Sequence, residues 1–249
     1  MTLKGHIEAI ETAIAGLYPP EEAHAIAVRT VTGLLSVPDY KYLSEPHTEV
    51  SEQQSQMLSE AADRLAKGEP MQYVLGYTWF AGLKIRVGSG VLIPRPETEQ
   101  LYELAAQDCD SLMQSSEDDT FSILDMCCGS GCLTYAFAAE FPEAHVYGCD
   151  ISDTALGFAC RQRVKLQGAR PVIFKADVLG EPPAGLRHRF QRGQLHTEKA
   201  QLFQHLISKR YAGEAGRLLL HEKVPESTFK KTLFCHEKRR SRKQMAINN

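Results

Sequence analysis

Three short apolar runs, separated by stretches with helical spacing, constrain this chain more than any other feature. Phe121 to Met126 reads as a buried strand, Ala144 to Cys149 as a second that ends at Asp150, and Pro171 to Ala176 as a third that ends at Asp177. Leu133, Phe137 and Ala138 mark a helix after the first run, and Ala155 to Gln167 reads as a helix after the second. A strand reaches a parallel neighbour only through a crossover, and the usual crossover is a helix. Strand and helix in alternation therefore predict an α/β domain with a parallel, doubly wound sheet.

Ligands of such sheets bind outside the carboxyl ends of the strands. The segment Asp125-Met126-Cys127-Cys128-Gly129-Ser130-Gly131 falls at one of those ends. Glycines directly after a buried strand allow a tight turn and a close approach of backbone to ligand. Asp150, at the end of the next strand, suits the two hydroxyls of a ribose. Both a dinucleotide and S-adenosylmethionine fit this pattern. Cys132, Leu133 and Thr134 follow Gly131, so a full G-x-G-x-x-G is absent. Asp125 favours the methyl donor, whose bound form carries a cationic sulfonium. Asp125, Asp150 and Asp177 at three successive strand ends strengthen the case for a nucleotide-type ligand.

The first 70 residues read differently. Ile7, Ile10, Ile14 and Leu17 recur at helical spacing until Tyr18-Pro19-Pro20 stops them. Val28, Val31, Leu34 and Leu35 form a second apolar face that ends at Pro38. Ser51 and Gln54 open a third helix as a capping box, with Met57, Ala61 and Leu65 inward and Gly68 closing it. Between Met71 and Val91 the period falls to two, through Tyr73, Leu75 and Tyr77 and again through Leu83, Ile85 and Val87. That alternation predicts a β-hairpin connector over 71–95. Pro94-Arg95-Pro96-Glu97 then makes a rigid turn into a helix from Thr98. The expected organisation is a helical unit over 1–70, the connector over 71–95, a ligand-binding α/β domain over 96–185 and an atypical segment over 186–249.

No run approaches the length of a membrane-spanning helix, and Met1 to Gly16 lacks the apolar stretch of a signal peptide. The seven cysteines are odd in number, and most lie between Cys109 and Cys160. That spacing suits reduced thiols in a cytoplasm better than a secreted disulfide framework. Paired C-x-x-C and H-E-x-x-H are both missing, so no metal site is expected. The formal net charge of −3 conceals a break. Residues 1–185 carry 13 basic and 26 acidic side chains, and residues 186–249 carry 15 and 5. Few aromatics interleave with the basic residues of the tail, so nucleic-acid binding by it is not expected.

Gly68-Glu69-Pro70-Met71-Gln72-Tyr73-Val74-Leu75-Gly76, Phe80-Ala81-Gly82-Leu83 and Val91-Leu92-Ile93-Pro94-Arg95-Pro96-Glu97-Thr98-Glu99 together closely resemble the bacterial release-factor glutamine methyltransferases, the protein-(glutamine-N5) methyltransferases. The likeness runs from residue 1 to about 184. It implies a helical N-terminal domain that engages a protein substrate, followed by a Rossmann-like class I methyltransferase domain. It also implies S-adenosyl-L-methionine as cofactor and class I peptide-chain release factors as partners. Cys127, Cys128, Gly129, Ser130 and Gly131 would wrap the methionine part of the donor, with Cys127 where the family has a glycine. Asp150 would hold the ribose, and Asp177 and Val178 would lie against the adenine. Arg95 and Glu97 would shape the substrate-side rim of the pocket, or else stabilise the turn as a pair.

The family's catalytic Asn-Pro-Pro-Tyr is absent. Members place it after the fourth strand, where the Asn oxygen and a proline carbonyl accept the two N–H bonds of the glutamine amide. Its delocalised lone pair is thereby turned toward the methyl group. The asparagines of this chain are Asn248 and Asn249, its last two residues. The window where the motif belongs runs Arg187-His188-Arg189-Phe190-Gln191-Arg192-Gly193-Gln194-Leu195-His196-Thr197. A central parallel strand is buried on both faces, and this window is too charged to fill that place. It reads as sequence translated out of frame, which leaves the methyltransferase domain incomplete. Two alternatives stand beside glutamine methylation: a catalytically inactive S-adenosylmethionine-binding protein, and a related methyltransferase acting on nucleic acid or another protein.

Overall fold

The computed structural model describes residues 1–115, 121–177 and 233–237. The chain divides into two compact units: Met1–Thr78 with Arg86–Ser89, and Trp79–Ile85 with Gly90–Asn249.

The first unit is helical. α1 (Leu3–Ile14) begins at Thr2, whose hydroxyl accepts the Gly5 amide hydrogen at 3.2 Å. α2 (Pro20–Leu35) starts on a proline, carries Glu21 and Glu22 in its first turn, and stops where Ser36 enters the left-handed region at φ +56°. A single-turn helix, α3 (Lys41–Ser44), precedes α4 (Glu52–Ala66). α4 opens with the expected capping box: Ser51 Oγ accepts from Gln54 N, and Gln54 Oε1 accepts from Ser51 N. Ile7, Ile10 and Ile14 of α1 pack with Val28 and Val31 of α2 and with Leu58, Ala61 and Leu65 of α4. The inward face of α4 carries Leu58, at 1% exposure, where the spacing predicts Met57, which is only half-buried.

The connector differs from expectation at its start. Met71–Leu75 forms a short helix, α5, and not a strand. Pro70 caps it with φ −57°, Gly76 ends it at φ +77°, and Val74 is its buried residue. The guanidinium of Arg64 holds Glu69 at 2.6 and 2.7 Å and donates to the carbonyls of Tyr73 and Val74 at 3.1 and 3.4 Å. Those tertiary bonds satisfy carbonyls that so short a helix leaves open. The hairpin is accordingly shorter, β1 (Tyr77–Phe80) and β2 (Leu83–Arg86), turning on Ala81 and Gly82 at φ +47° and +72°. Positive φ at both central residues is the geometry that matches strand twist in a two-residue loop.

The second unit holds the sheet. α6 (Pro96–Ser115) starts at Pro96, two residues before the expected Thr98. Then come β3 (Phe121–Met126), α7 (Cys132–Glu140), β4 (His145–Asp150), α8 (Asp153–Cys160) and β5 (Val172–Lys175). The order is β5-β4-β3-β6, where β6 is Leu233–Glu237. β3 with β4 and β4 with β5 are parallel, as the alternation predicts. β6 lies antiparallel on β3, with Ile123 opposite Cys235, so the atypical segment over 186–249 contributes a strand to this sheet. Ile123, Phe137, Phe141 and Val146 form the core beside it. α8 ends at Cys160, short of Gln167, because the chain turns there: Gln162 N donates to Ala159 O and the Gln162 side chain is buried. The Arg187 to Thr197 window, the helix expected over Lys199 to Tyr211 and the strand expected at Leu218 to Leu220 lie outside the described residues.

Candidate functional site

The loop from Cys127 to Gly131 joins β3 to α7, and most of its shape lies in the left-handed region. Cys127, Gly129 and Gly131 stand at φ +63°, +55° and +82°. Gly131 is the first residue before α7 and is pressed by its neighbours: an added Cβ would meet Ala159 Cβ at 3.2 Å and Tyr135 Cδ2 at 3.3 Å. Gly129 is the opposite case, with nothing within 4 Å of an added Cβ. One glycine lets α8 close on the loop, and the other leaves the loop's outer face open.

Asp150, at the end of β4, fastens the loop. Its Oδ2 accepts from Gly129 N at 2.9 Å and its Oδ1 accepts from Ser152 N at 2.9 Å. Each carboxylate oxygen has two acceptor sites, so Asp150, half-buried here, keeps capacity for a diol. Asp125 is placed otherwise. It is 3% exposed, and its Oδ2 accepts from both the amide and the hydroxyl of Thr134, at 3.0 and 2.5 Å. Thr134 is the third residue of α7, so Asp125 caps the positive end of that helix from the strand below. Burial pushes its carboxyl up to about 6 against the opposing bonds from Thr134, with Asp150 adding to the rise. Asp125, expected to face a sulfonium, accepts from Thr134 in this fold.

The thiols around this loop are held neutral. Withdrawal from water, then the carboxylates of Asp150, Asp125 and Asp177, raise the Cys127 thiol. Burial raises Cys128 as well, and takes Cys132 to about 12 and Cys149 to about 11. A neutral thiol is a weak nucleophile and a poor metal ligand. Among the described residues no cluster of three or more His, Cys, Asp or Glu could hold a metal ion.

The structure thus brings Asp125, Cys127, Cys128, Gly129, Ser130, Gly131, Asp150 and Asp177 to the carboxyl ends of β3, β4 and β5. Val178 lies outside the described residues. Arg95 and Glu97 are both exposed, and no ion pair joins them among the described residues. The acid with a structural partner in that motif is Glu99, which accepts the Ala81 amide hydrogen at 2.6 Å. The chain entering the motif runs against α8: a Cβ on Gly90 would stand 2.6 Å from Thr154 Cγ2.

Sequence reasoning missed the support beneath the loop. Gln162, 2% exposed, donates from Nε2 to Ser130 O at 2.8 Å. Arg170 donates to the Gln162 carbonyl at 2.8 Å and to Tyr135 Oη at 3.0 Å. Gly148 gives Thr134 room, since a Cβ there would come within 2.8 Å of Thr134 Oγ1. Gln162 falls inside the run read as a helix and Arg170 beyond it, and neither polar side chain signals a partner in the loop; a glycine inside a strand run, as at Gly148, is the kind of signal that marks a close approach.

Comparison with known proteins extends this. Residues 11–76 match the model described as PrmC N-terminal domain, and residues 123–198 match the one described as Methyltransferase domain. The chain is 33% identical over 172 residues to a release factor glutamine methyltransferase of Bacteroides thetaiotaomicron, covering 68% of this chain and 59% of that one. The corresponding protein of Lactococcus lactis subsp. lactis is 32% identical over 173 residues, covering 70% and 60%. That of Flavobacterium psychrophilum is 40% identical over 101 residues, covering 41% and 34%. The chain therefore spans at most about three-fifths of the length of these relatives.

Proposed function

We propose, from the premise that over its matched length this chain belongs to the release factor glutamine methyltransferase family, that it is an S-adenosyl-L-methionine-dependent methyltransferase of a glutamine side chain in class I peptide-chain release factors. The observation that carries the proposal is the pairing of Asp150 with the Gly129 amide across the strand ends. It holds an open glycine loop and a half-free carboxylate side by side, the two features an adenosine-type ligand needs.

In this proposal Cys127, Cys128, Gly129, Ser130 and Gly131 border the methionine part of the donor, Asp150 takes the ribose hydroxyls, and Asp177 and Val178 border the adenine. Bound there, the donor would supply a methyl carbon made electrophilic by its sulfonium; the glutamine amide nitrogen would gain that carbon and lose a proton as the S–CH3 bond breaks and S-adenosylhomocysteine leaves. Asp150 orients the ligand while its two main-chain bonds fix its own position. Asp125 holds α7, and through it the loop, and stands on the side of the donor's sulfonium. Residues 1–70 would present the release factor, and Arg95 and Glu97 would rim the substrate side. The cytoplasm follows as the compartment, because the proposed substrate works on ribosomes and free thiols such as Cys127 suit a reducing environment.

A second reading rests on one observation: no asparagine precedes Asn248. Without the Asn that orients the amide, the chain would bind the donor and transfer nothing. Calorimetry with S-adenosylmethionine, run beside transfer of labelled methyl to a purified class I release factor, separates the two. Binding with transfer supports methylation, binding without transfer supports the second reading, and absence of binding overturns both.

A further inference from the structure

We infer that Gln162 is a positioning residue that holds the donor loop closed from beneath, with Arg170 as its anchor; what the loop holds rests on the donor-binding proposal above. The loop is fixed at two adjacent points by different elements. Asp150, at the end of β4, takes the Gly129 amide, and Gln162 Nε2, just beyond the end of α8, takes the Ser130 carbonyl at 2.8 Å. Ser130 is 3% exposed and Gln162 2%, so water cannot replace this bond without the loop opening. A buried carbonyl left without its donor pays its full desolvation penalty.

Packing joins the same two elements. Ala159, in the last turn of α8, is fully buried and stands where a Cβ on Gly131 would touch it at 3.2 Å. The end of α8 therefore covers the loop, and Gln162 is the polar contact that ties it there. Arg170 then fixes Gln162: Nη2 donates to the Gln162 main-chain carbonyl at 2.8 Å and to Tyr135 Oη at 3.0 Å. Its guanidinium carbon also lies 5.5 Å from the centre of the Tyr135 ring. Tyr135 belongs to α7, the helix the loop leads into, so loop, α7 and the end of α8 close on one another. A donor pocket built from loop backbone keeps its shape only while this closure holds.

The chain carries its own reporters. Cys128, within the loop, is 5% exposed, and Cys109, in the core between α6 and the sheet, is 1% exposed. Gln162→Leu keeps the volume and removes the donor; Arg170→Met keeps Gln162 and removes its anchor. Alkylation of the intact chain, followed site by site by mass spectrometry, should show Cys128 reacting about tenfold faster or more in Gln162→Leu, with a smaller rise in Arg170→Met. Cys109 should react at its parental rate in both. An unchanged Cys128 rate, or equal rises at Cys109 and Cys128 in both variants, would overturn the inference. Calorimetry with S-adenosylhomocysteine should show at least about tenfold weaker binding to Gln162→Leu than to the parent. Parental affinity in that variant would also overturn it. If the parent binds no donor while Cys128 still responds, the loop clamp stands and the donor assignment falls.

Discussion

Cys127 sits at φ +63° on the loop between β3 and α7, a conformation that glycine adopts at no steric cost and that a side chain resists. The strain of a non-glycine residue there, about 1–2 kcal/mol, exceeds the extra chain entropy that glycine loses on folding, about 0.5–1 kcal/mol. Cys127→Gly should therefore stabilise the chain by about 0.5–1 kcal/mol, read as a higher urea midpoint at unchanged slope. A lower midpoint would show that the thiol makes a contact worth more than the strain. Asp125 offers a second test. Its carboxyl is raised in the fold from 3.8 to about 6, chiefly by burial. The unfolded chain then gives up this proton at lower pH than the folded one, so stability present below pH 3.8 is lost as pH rises through about 6. Two pKa units correspond to roughly 3 kcal/mol. Asp125→Asn, which can still accept from Thr134 N, should lose that slope between pH 4 and 6; a variant with the parental slope would refute the assignment. Asp125 was legible as a site residue from its place at a strand end, but its partner Thr134, nine residues on, was not.

At the scale of elements, β4 and α7 meet through a glycine. Gly148 lies in β4 opposite Asp125, and a Cβ there would press on Thr134 Oγ1 at 2.8 Å and Ile173 Cδ1 at 3.0 Å. Gly148→Ala should cost about 1–3 kcal/mol in equilibrium unfolding, and should weaken donor binding because Thr134 must leave Asp125. A fully neutral substitution would mean that α7 slides without consequence. α5 shows why elements are harder to read than their residues. Tyr73, Leu75 and Tyr77 alternate as a strand would, yet a five-residue segment is too short for period two and one helical turn to be told apart. Pro70 and Gly76 bracket the turn locally, and Arg64, supplied by α4, completes it by donating to the carbonyls of Tyr73 and Val74. The capping box at Ser51 needed no such help, because both its partners lie within three residues.

On the scale of the whole chain, the two units have separate apolar cores, one around Ile10, Ile14 and Leu58 and one around Ile123, Phe137 and Val146. Ile14→Ala, at a fully buried site, should cost about 2–5 kcal/mol in unfolding of the helical unit and leave S-adenosylhomocysteine affinity within twofold. An equal loss of affinity would show that ligand binding depends on the N-terminal core. The charge break after residue 185 stays a property of composition, yet its far side supplies β6, which lies antiparallel on β3. Local rules were enough to determine the α/β alternation, the capped N-terminal helices and the glycine loop, because period, caps and turn glycines act over a few residues. The tertiary structure alone decided the rest: that Asp125 serves Thr134, that Gln162 and Arg170 brace the loop, that Met71–Leu75 coils, and that β6 runs antiparallel. Each of these depends on a partner supplied by another element or lying beyond one helical turn, and no local period records such a partner.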